Sequence, residues 1–203
     1  MIRIFTFYLP SLNQSAQKED NNTMIIMIGG SSHVGKTLIA QKLIEKFKFP
    51  CISLDYLKTA FINCGITTLT CNDDYKMRYW MWPFVREIIK SAVDKNQNLI
   101  LEGCYIPENW KDGLDTKYLN EIHCVFIVMS HCYLKNHFED IKAFSGIIEK
   151  REPEENLDLD RLIHCSEAFK QDCISNKTPY IEIEKRFDID VLFEQVLLLL
   201  KQN

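Results

Sequence analysis

One stretch near the beginning of the chain limits its possible folds more than any other part of the sequence. Residues 30–37, Gly-Ser-Ser-His-Val-Gly-Lys-Thr, fit the pattern G-x-x-x-x-G-K-[ST] at every fixed position. The continuous apolar run 24–29 comes before it, which is typical of a strand buried on both faces. The run 36–47 comes after it and repeats apolar residues every four positions, as an amphipathic helix does. A strand, a glycine-containing loop and a helix in this order predict a phosphate-binding loop rather than a chance match on a turn.

The fixed residues of this loop each have a chemical role. Glycines let the backbone wrap closely around a phosphate, because they have no Cβ and tolerate positive φ. Successive backbone N–H groups then form an anion nest, and the N-terminus of the following helix adds its dipole. We expect Lys36 to contact the β- and γ-phosphates and the Thr37 hydroxyl to take one coordination position on Mg²⁺. The predicted nucleotide-binding residues are Gly30, Ser31, Ser32, His33, Val34, Gly35, Lys36, Thr37 and Leu38.

Strands and helices alternate along the rest of the chain. The other predicted elements are strands at 50–55, 98–103, 121–130 and 179–184 and helices at 73–97 and 188–202. Such alternation predicts a three-layer α/β fold with a five-stranded parallel sheet, helices on both faces and a lid segment.

The domain is expected to begin at residue 24. The stretch 10–23 is polar and has almost nothing to bury, so we interpret residues 1–23 as an N-terminal extension that is partly disordered. Residues 1–9 fit either an extra edge strand or an artefact of an upstream start codon. The predicted P-loop domain covers 24–203, and its charged stretch 142–161 is expected to be the lid.

The composition favours a soluble protein that acts on a small molecule. Hydrophobic residues make up 46% of the 203 residues, which is enough for one domain with a sizeable core. The net charge of -4 argues against a nucleic-acid partner, and no apolar run approaches the ~20 residues of a membrane helix. The eight cysteines include no C-x-x-C pair, so we expect reduced thiols in a cytoplasmic protein without a membrane partner. The oligomeric state stays open.

Two carboxylates are predicted to lie at the same edge of the sheet as the loop. Asp55 and Glu102 fall at the carboxyl ends of the second and third strands, where open α/β sheets bind their ligands. Asp55 can accept a proton from an attacking hydroxyl or hold it in line with the γ-phosphate, or it can cap the helix that follows. Glu102 can order a water on Mg²⁺ beside Thr37 or contact the acceptor, or it can form a strand-end salt bridge.

Two classes of P-loop protein compete at this point, a small-molecule kinase and a regulatory NTPase that hydrolyses its nucleotide without an acceptor. The guanine-reading string N-K-x-D is replaced by NKTP at 176–179, with Pro179 in place of the aspartate. No D-x-x-G switch follows the third strand, and LILEG stands where motor ATPases carry an acidic hhhhD-[ED] string. These differences favour ATP with Mg²⁺ as the cofactor and leave the two classes to be separated by the remaining motifs.

Three segments together resemble a known family. The P-loop, the string FPCISLDYLKTAF at 49–61 and the string LILEGCYIPENW at 99–110 resemble small P-loop kinases of the nucleoside-monophosphate kinase fold. The resemblance is closest to the 2-phosphoglycerate kinase-like group, which pairs an aspartate after strand two with Glu-Gly and a nearby proline after strand three. It covers most of 24–184 and implies an ATP-dependent small-molecule kinase. The lid departs from many nucleotide kinases because it lacks their Arg-x-x-x-Arg pattern.

Arginines are the candidates for binding the transferred phosphate and the acceptor. A lid arginine can stabilise the charge on the equatorial oxygens during transfer, and we assign this catalytic role to Arg151, with Arg161 as the alternative. The resemblance implies that the helix after strand two covers the acceptor, so Arg78 is predicted to bind it. Arg86 lies about 80° away around that helix, and a solvated face is the competing interpretation for both. The acceptor itself stays open among a 2-phosphoglycerate-like acid, a sugar, a nucleoside or nucleotide, and an antibiotic or cell-wall precursor.

Overall fold

Five strands form one fully parallel sheet, which confirms the predicted fold class. The computed structural model describes residues 23–70, 73–144 and 157–201. The strands are β1 (Ile25–Gly30), β2 (Cys51–Ser53), β3 (Leu99–Glu102), β4 (Ile122–Met129) and β5 (Tyr180–Ile183). They lie in the order β2-β3-β1-β4-β5, so the strand that leads into the P-loop is in the centre. All carboxyl ends therefore meet at one edge of the sheet.

Eight helices within the described ranges accompany the strands. They are α1 (Lys36–Phe47), α2 (Leu54–Asn63), α3 (Asp74–Asp94), α4 (Thr116–Leu119), α5 (His131–Asn136), α6 (Phe138–Phe144), α7 (Leu159–Ser175) and α8 (Ile189–Leu200). The predicted helix at 73–97 is confirmed as α3, and it begins nine residues before Pro83. Pro83 therefore lies inside the helix and does not mark its start.

The side chains of β1 show why its sequence is apolar throughout. Ile25 and Met27 point into a core formed with α3, α7 and the segment after β3. Ile26 and Ile28 point to the opposite face, into a core formed with α1 and α8. All four are fully buried, and a side chain of this kind contributes roughly 1.5–3 kcal/mol when it leaves water. Helices therefore cover both faces of the sheet, and the P-loop begins at the end of its central, fully buried strand.

The second strand is shorter than the sequence predicts. The expected strand at 50–55 ends at Ser53, and Leu54 begins α2 with its side chain fully buried. Ser53 has extended backbone dihedrals and occupies the N-cap position of α2. Asp55 is therefore in the first helical turn, so both the strand boundary and the interpretation of Asp55 as a helix cap are wrong. Its position at the carboxyl edge of the sheet is nevertheless retained.

The stretch between β4 and β5 contains more helix than expected. The sequence indicates only a charged lid at 142–161, whereas α6 ends at Phe144 and α7 begins at Leu159. The central part of the predicted lid, 145–156, lies outside the described residues and includes Arg151. Residues 1–22, which hold nearly all of the predicted N-terminal extension, lie outside them as well.

Two further expectations concern the described ranges only. No helix within 23–70, 73–144 or 157–201 is both long enough and apolar enough to cross a membrane. The seven cysteines in these ranges are all free, as expected for thiols without a disulfide framework.

Candidate active site at the carboxyl edge of the sheet

The P-loop leaves β1 in close contact with the backbone of β4. Gly30 has φ +127°, and a Cβ added there would lie 1.9 Å from the carbonyl oxygen of Ile127. The backbone N–H of Ser31 donates to that same oxygen over 3.3 Å. Gly35 has φ +86°, and a Cβ added there would lie 2.9 Å from the ring of Phe187. The two glycines are required because both the dihedrals and the space exclude a side chain.

The first turn of α1 is available for an anion. Gly35 is the N-cap residue and has no side chain to satisfy the first N–H groups of the helix. These donors and the helix dipole are directed toward the loop. Of the other predicted loop residues, Val34 is buried in the core and anchors the loop, while Ser32 is exposed and lies 3.7 Å from the Cys104 thiol. His33 adopts φ +62°, and Leu38 is half-buried in the first turn of α1.

Lys36 is buried inside the loop that it is predicted to serve. Its side chain is 7% exposed, and its Nζ donates to the carbonyl oxygen of Ser31 over 2.6 Å. Burial lowers the pKa of Lys36, but the Cys104 thiol and the carboxylates of Asp55 and Glu102 raise it, and the net effect is a raised pKa. Lys36 is therefore positively charged near neutral pH, which is the form that attracts phosphate.

Thr37 and Glu102 form an oxygen pair between α1 and the end of β3. The Thr37 hydroxyl donates to Oε2 of Glu102 over 3.3 Å, and Glu102 is 3% exposed. Burial raises the pKa of Glu102, and the hydrogen bond from Ser53 and the charge of Lys36 oppose that effect. Within the described residues there is no cluster of three or more His, Cys, Asp or Glu side chains that could hold a metal. The pair instead fits Mg²⁺, which usually takes one or two protein oxygens together with nucleotide phosphates.

Asp55 lies beside this oxygen pair. Its Oδ2 is 3.5 Å from where a Cβ of Gly103 would be, so the turn after β3 passes close to the carboxylate. Its charge also affects the pKa values of both Lys36 and Glu102. The sequence therefore predicts correctly that the ends of β2 and β3 come together next to the P-loop.

Ser166 of α7 supports the P-loop, and sequence reasoning missed it. β4 extends beyond its last partner on β1, so Met129, although it pairs with Ile183 of β5, has no β1 residue on its other side. The Ser166 hydroxyl accepts from the Met129 N–H over 2.9 Å and donates to the Met129 carbonyl over 2.7 Å. It lies 3.3 Å from the Ser31 hydroxyl, which donates to it. No sequence pattern marked this serine, because α7 was not predicted as a helix.

The predicted arginines have different surroundings. The Arg78 guanidinium lies 4.2 Å above the ring of Phe169, its Nη1 is 4.0 Å from Oε2 of Glu108, and its Nε is buried without a hydrogen bond. Arg161 is 73% exposed and lies 3.5 Å from Asp74. Arg86 donates to the Asp112 carbonyl over 3.3 Å. Arg86 therefore supports a loop and does not lie on a solvated face, and the Nε of Arg86, like that of Arg78, is buried without a hydrogen bond.

The thiol of Cys165 is influenced by the charges of three cations. Burial and the neighbouring Cys104 raise the pKa of Cys165, and the charges of Arg78, Arg161 and Lys36 lower it. Arg78 and Arg161 are therefore on the same side of the sheet edge as the P-loop lysine.

Solved structures match this fold over most of the chain, although no protein-family model and no curated protein matches it. A gluconokinase from Sinorhizobium meliloti 1021 matches with a TM-score of 0.55 and 14% identity over 89% of this chain and 93% of its own. A shikimate kinase from Acinetobacter baumannii matches with a TM-score of 0.55 and 12% identity over 90% of this chain and 96% of its own. A deoxyadenosine kinase from M. mycoides matches with a TM-score of 0.51 and 18% identity over 89% of this chain and 100% of its own. At these identities the likeness shows the fold, which is that of P-loop small-molecule kinases.

Proposed function

We propose that the chain is a cytoplasmic ATP-dependent kinase that moves the γ-phosphate to a hydroxyl or phosphate group of a small molecule. The observation that carries the proposal is the grouping of Lys36, the Thr37–Glu102 oxygen pair and Asp55 at one edge of the sheet. The fold, shared with kinases of gluconate, shikimate and deoxyadenosine, supports the same function. The subgroup most like it by motif is the 2-phosphoglycerate kinase-like group.

The loop and Lys36 bind and orient the nucleotide phosphates. The Lys36 ammonium now bonds to the Ser31 carbonyl, inside the loop, so phosphate oxygens can replace that carbonyl without a large movement of the side chain. Its positive charge and the N–H groups at the start of α1 stabilise the charge that develops on the transferred group. Arg151 is proposed to add a further positive charge from the lid.

Thr37 and Glu102 would hold Mg²⁺ when the nucleotide is bound. The ion would neutralise charge on the β- and γ-phosphates, and the hydroxyl and carboxylate are the hard oxygen ligands it prefers. Glu102 is fixed in place by the Thr37 hydroxyl and by its burial at the end of β3. The protein's part is to orient these two oxygens.

Asp55 is proposed as the base for a hydroxyl acceptor. It projects from the first turn of α2, on the β2 side of Glu102, while the P-loop and its proposed nucleotide phosphates belong to the β1 side. An acceptor hydroxyl between Asp55 and the P-loop would donate its proton to the carboxylate as its oxygen attacks the γ-phosphate. Arg78 is proposed to bind the acceptor through its guanidinium group, whose Nη1 lies 4.0 Å from Oε2 of Glu108.

A regulatory NTPase without an acceptor is the second candidate. The P-loop and the oxygen pair alone would be enough for nucleotide hydrolysis. The position of Asp55 favours the kinase, because it places a possible base where an acceptor would enter.

The first test is turnover by a Lys36→Ala variant. Purified protein is incubated with Mg·ATP and a pooled metabolite extract, and new phosphorylated species are identified by mass spectrometry. Lys36→Ala should remove ATP-dependent turnover, because no other described P-loop side chain supplies a lysine's positive charge to bind the phosphates. Lys46→Ala, on the exposed face of the same helix, is the matched control and should keep full turnover. Full turnover by Lys36→Ala would mean that the site is assigned to the wrong residues.

The second test is Asp55→Asn, which keeps the size of the side chain but cannot take a proton. Transfer to an alcohol acceptor should fall by ~10²–10⁴, the usual effect of losing general-base help. ATP affinity should not change, since Asp55 is outside the P-loop. The change in stability should be small, because an acidic first-turn residue stabilises a helix by only about 0.3–1 kcal/mol. An unchanged rate with an alcohol acceptor would refute the role of Asp55, and an unchanged rate with a phosphate acceptor would indicate a nucleotide-kinase-like reaction.

A further inference from the structure

Lys58 is a cation on the acceptor side of the site that the mechanism above does not use. It follows Asp55 by three positions on α2, and residues at this spacing lie on the same face of a helix. Its side chain is only 15% exposed. The Nζ donates to the hydroxyl of Tyr105 over 2.6 Å and lies 4.9 Å from the centre of the Tyr105 ring.

Tyr105 fixes the position of this ammonium group. It follows Glu102 by three positions, is 4% exposed and donates its own proton to Oδ1 of Asp74 over 2.7 Å. Burial, the bond to Asp74 and the charge of Asp55 all raise the pKa of Tyr105, so the phenol stays protonated. The order of donation is therefore fixed from Lys58 to Tyr105 to Asp74, and this chain of contacts joins α2, the turn after β3 and the start of α3.

Two cations of this cluster pair with the same carboxylate. Asp74 is 3.6 Å from Lys58 and 3.5 Å from Arg161, so one carboxylate is shared by two positive charges. A lysine ammonium has three donors, and Lys58 makes one hydrogen bond of 3.5 Å or less among the described residues. A largely buried ammonium with unused donors is unfavourable until an anion binds it.

The sheet order separates Lys58 from the nucleotide site. It comes from the helix after β2, and β2 is two strands away from β1, or about 10 Å at the usual strand spacing. The nucleotide phosphates already have Lys36 and the loop. Lys58 is therefore on the side of the site where Asp55 would meet an acceptor hydroxyl, and not in the P-loop.

We infer that Lys58, held by Tyr105 and Asp74, binds a carboxylate or phosphate group of the phosphoryl acceptor. This rests on the proposed kinase function and narrows it, because the acceptor becomes a small organic anion with a group to phosphorylate near Asp55. Lys58 touches the acceptor, whereas Tyr105 and Asp74 act as positioning residues.

The test compares acceptors that differ only in the anionic group. The probes are gluconate with glucitol, shikimate with its methyl ester, and nucleoside monophosphates with their nucleosides. Binding of each probe is measured by calorimetry on protein saturated with Mg²⁺ and a non-hydrolysable ATP analogue. We expect an anionic member of at least one pair to bind and its neutral partner to bind much more weakly. The carboxylate pairs and the phosphate pair identify which anion the site takes.

Variants then show whether Lys58 is responsible. Lys58→Met keeps the length of the side chain without its charge and should weaken binding of the anionic probe by roughly 10- to 100-fold. Lys58→Arg should recover part of that loss, and Lys76→Met, which removes a mostly exposed lysine of α3, should change nothing. Tyr105→Phe keeps the ring and should raise KM for the anionic acceptor several-fold with little change in kcat. Thermal melting shows whether each variant is folded. If Lys58→Met does not fold, the binding test is repeated with Tyr105→Phe.

The outcomes separate this inference from the proposed function. Equal binding of neutral and anionic partners, or a preference that Lys58→Met leaves unchanged, overturns the inference. The inference is also overturned if Lys58→Met and the original protein phosphorylate a neutral acceptor at the same rate. The kinase function would stand in that case. Anion binding that depends on Lys58 without any phosphorylated product overturns the kinase function and the acceptor role together.

Discussion

Replacing Ser166 by alanine tests how α7 supports the P-loop. The hydroxyl makes three hydrogen bonds in a fully buried position, to both backbone groups of Met129 and to Ser31. Alanine would leave the Met129 N–H and C=O without partners, because Met129 lies beyond the last residue of β4 that pairs with β1. The volume change is small, so lost hydrogen bonding dominates the effect.

The expected magnitude follows from those contacts. Each buried hydrogen bond contributes about 1 kcal/mol net, and a buried group left unpaired costs about 1–3 kcal/mol, which gives roughly 2–4 kcal/mol for Ser166→Ala. A chain of this size loses about 2–4 °C of Tm per kcal/mol, so we expect a decrease of roughly 4–16 °C.

Thermal melting by circular dichroism gives the Tm, and Ser175→Ala at the exposed end of the same helix is the matched control. Ser175→Ala should melt within about 2 °C of the original protein, because surface substitutions usually change stability by less than about 0.5 kcal/mol. A Ser166→Ala protein that melts as the control does would refute the bridging role of the hydroxyl.

Two further substitutions test the backbone of the P-loop and the pH dependence of folding. Gly30→Ala should prevent binding of a fluorescent ATP analogue and lower the Tm, since its Cβ would meet the Ile127 carbonyl at 1.9 Å; unchanged binding would contradict the close approach of β1 and β4. Burial lowers the pKa of His123, and the charge of Glu121 opposes this. The unfolded chain therefore binds a proton more readily, so the free energy of unfolding should decrease as the pH falls through about 6.5. Urea unfolding of His123→Gln should show a weaker decrease, and an equal decrease would assign the effect to other groups.

The sequence was sufficient for the parts of the fold that depend on local patterns. The apolar run before the P-loop predicted a strand buried on both faces, and Ile25 to Ile28 alternate between the two cores. The spacing Gly30 to Thr37 predicted a loop whose glycines adopt positive φ. These features have strong signals because each depends on a short stretch of chain.

The parts that were missed depend on contacts between distant segments. Asp55 was placed at the end of a strand because Cys51 to Leu54 are apolar, but the burial of Leu54 under the turn at Gly103 starts the helix earlier. Ser166 acts across 37 positions on Met129, and no local pattern reports such a contact. The three-residue spacing of Lys58 from Asp55 is visible in the sequence, but the hydrogen bond of Lys58 to Tyr105 shows only in the folded chain.

Electrostatic partners were equally invisible in the sequence. Arg78 and Arg86 are both on α3, and helical geometry alone treats them alike. In the fold Arg86 bonds to the carbonyl of Asp112, while the guanidinium of Arg78 lies 4.2 Å above the ring of Phe169. The segment after β3 supplies a partner to each of them, Glu108 to Arg78 and Asp112 to Arg86.

The most direct test of the central claim is the stoichiometry of phosphoryl transfer. ADP, inorganic phosphate and phosphorylated product are measured in one reaction of the full chain with Mg·ATP and the metabolite pool. The account predicts one phosphorylated product for each ADP formed above the acceptor-free rate, with little additional inorganic phosphate. ADP and inorganic phosphate in equal amounts, without any phosphorylated product across the pool, would contradict it and identify a nucleotide hydrolase.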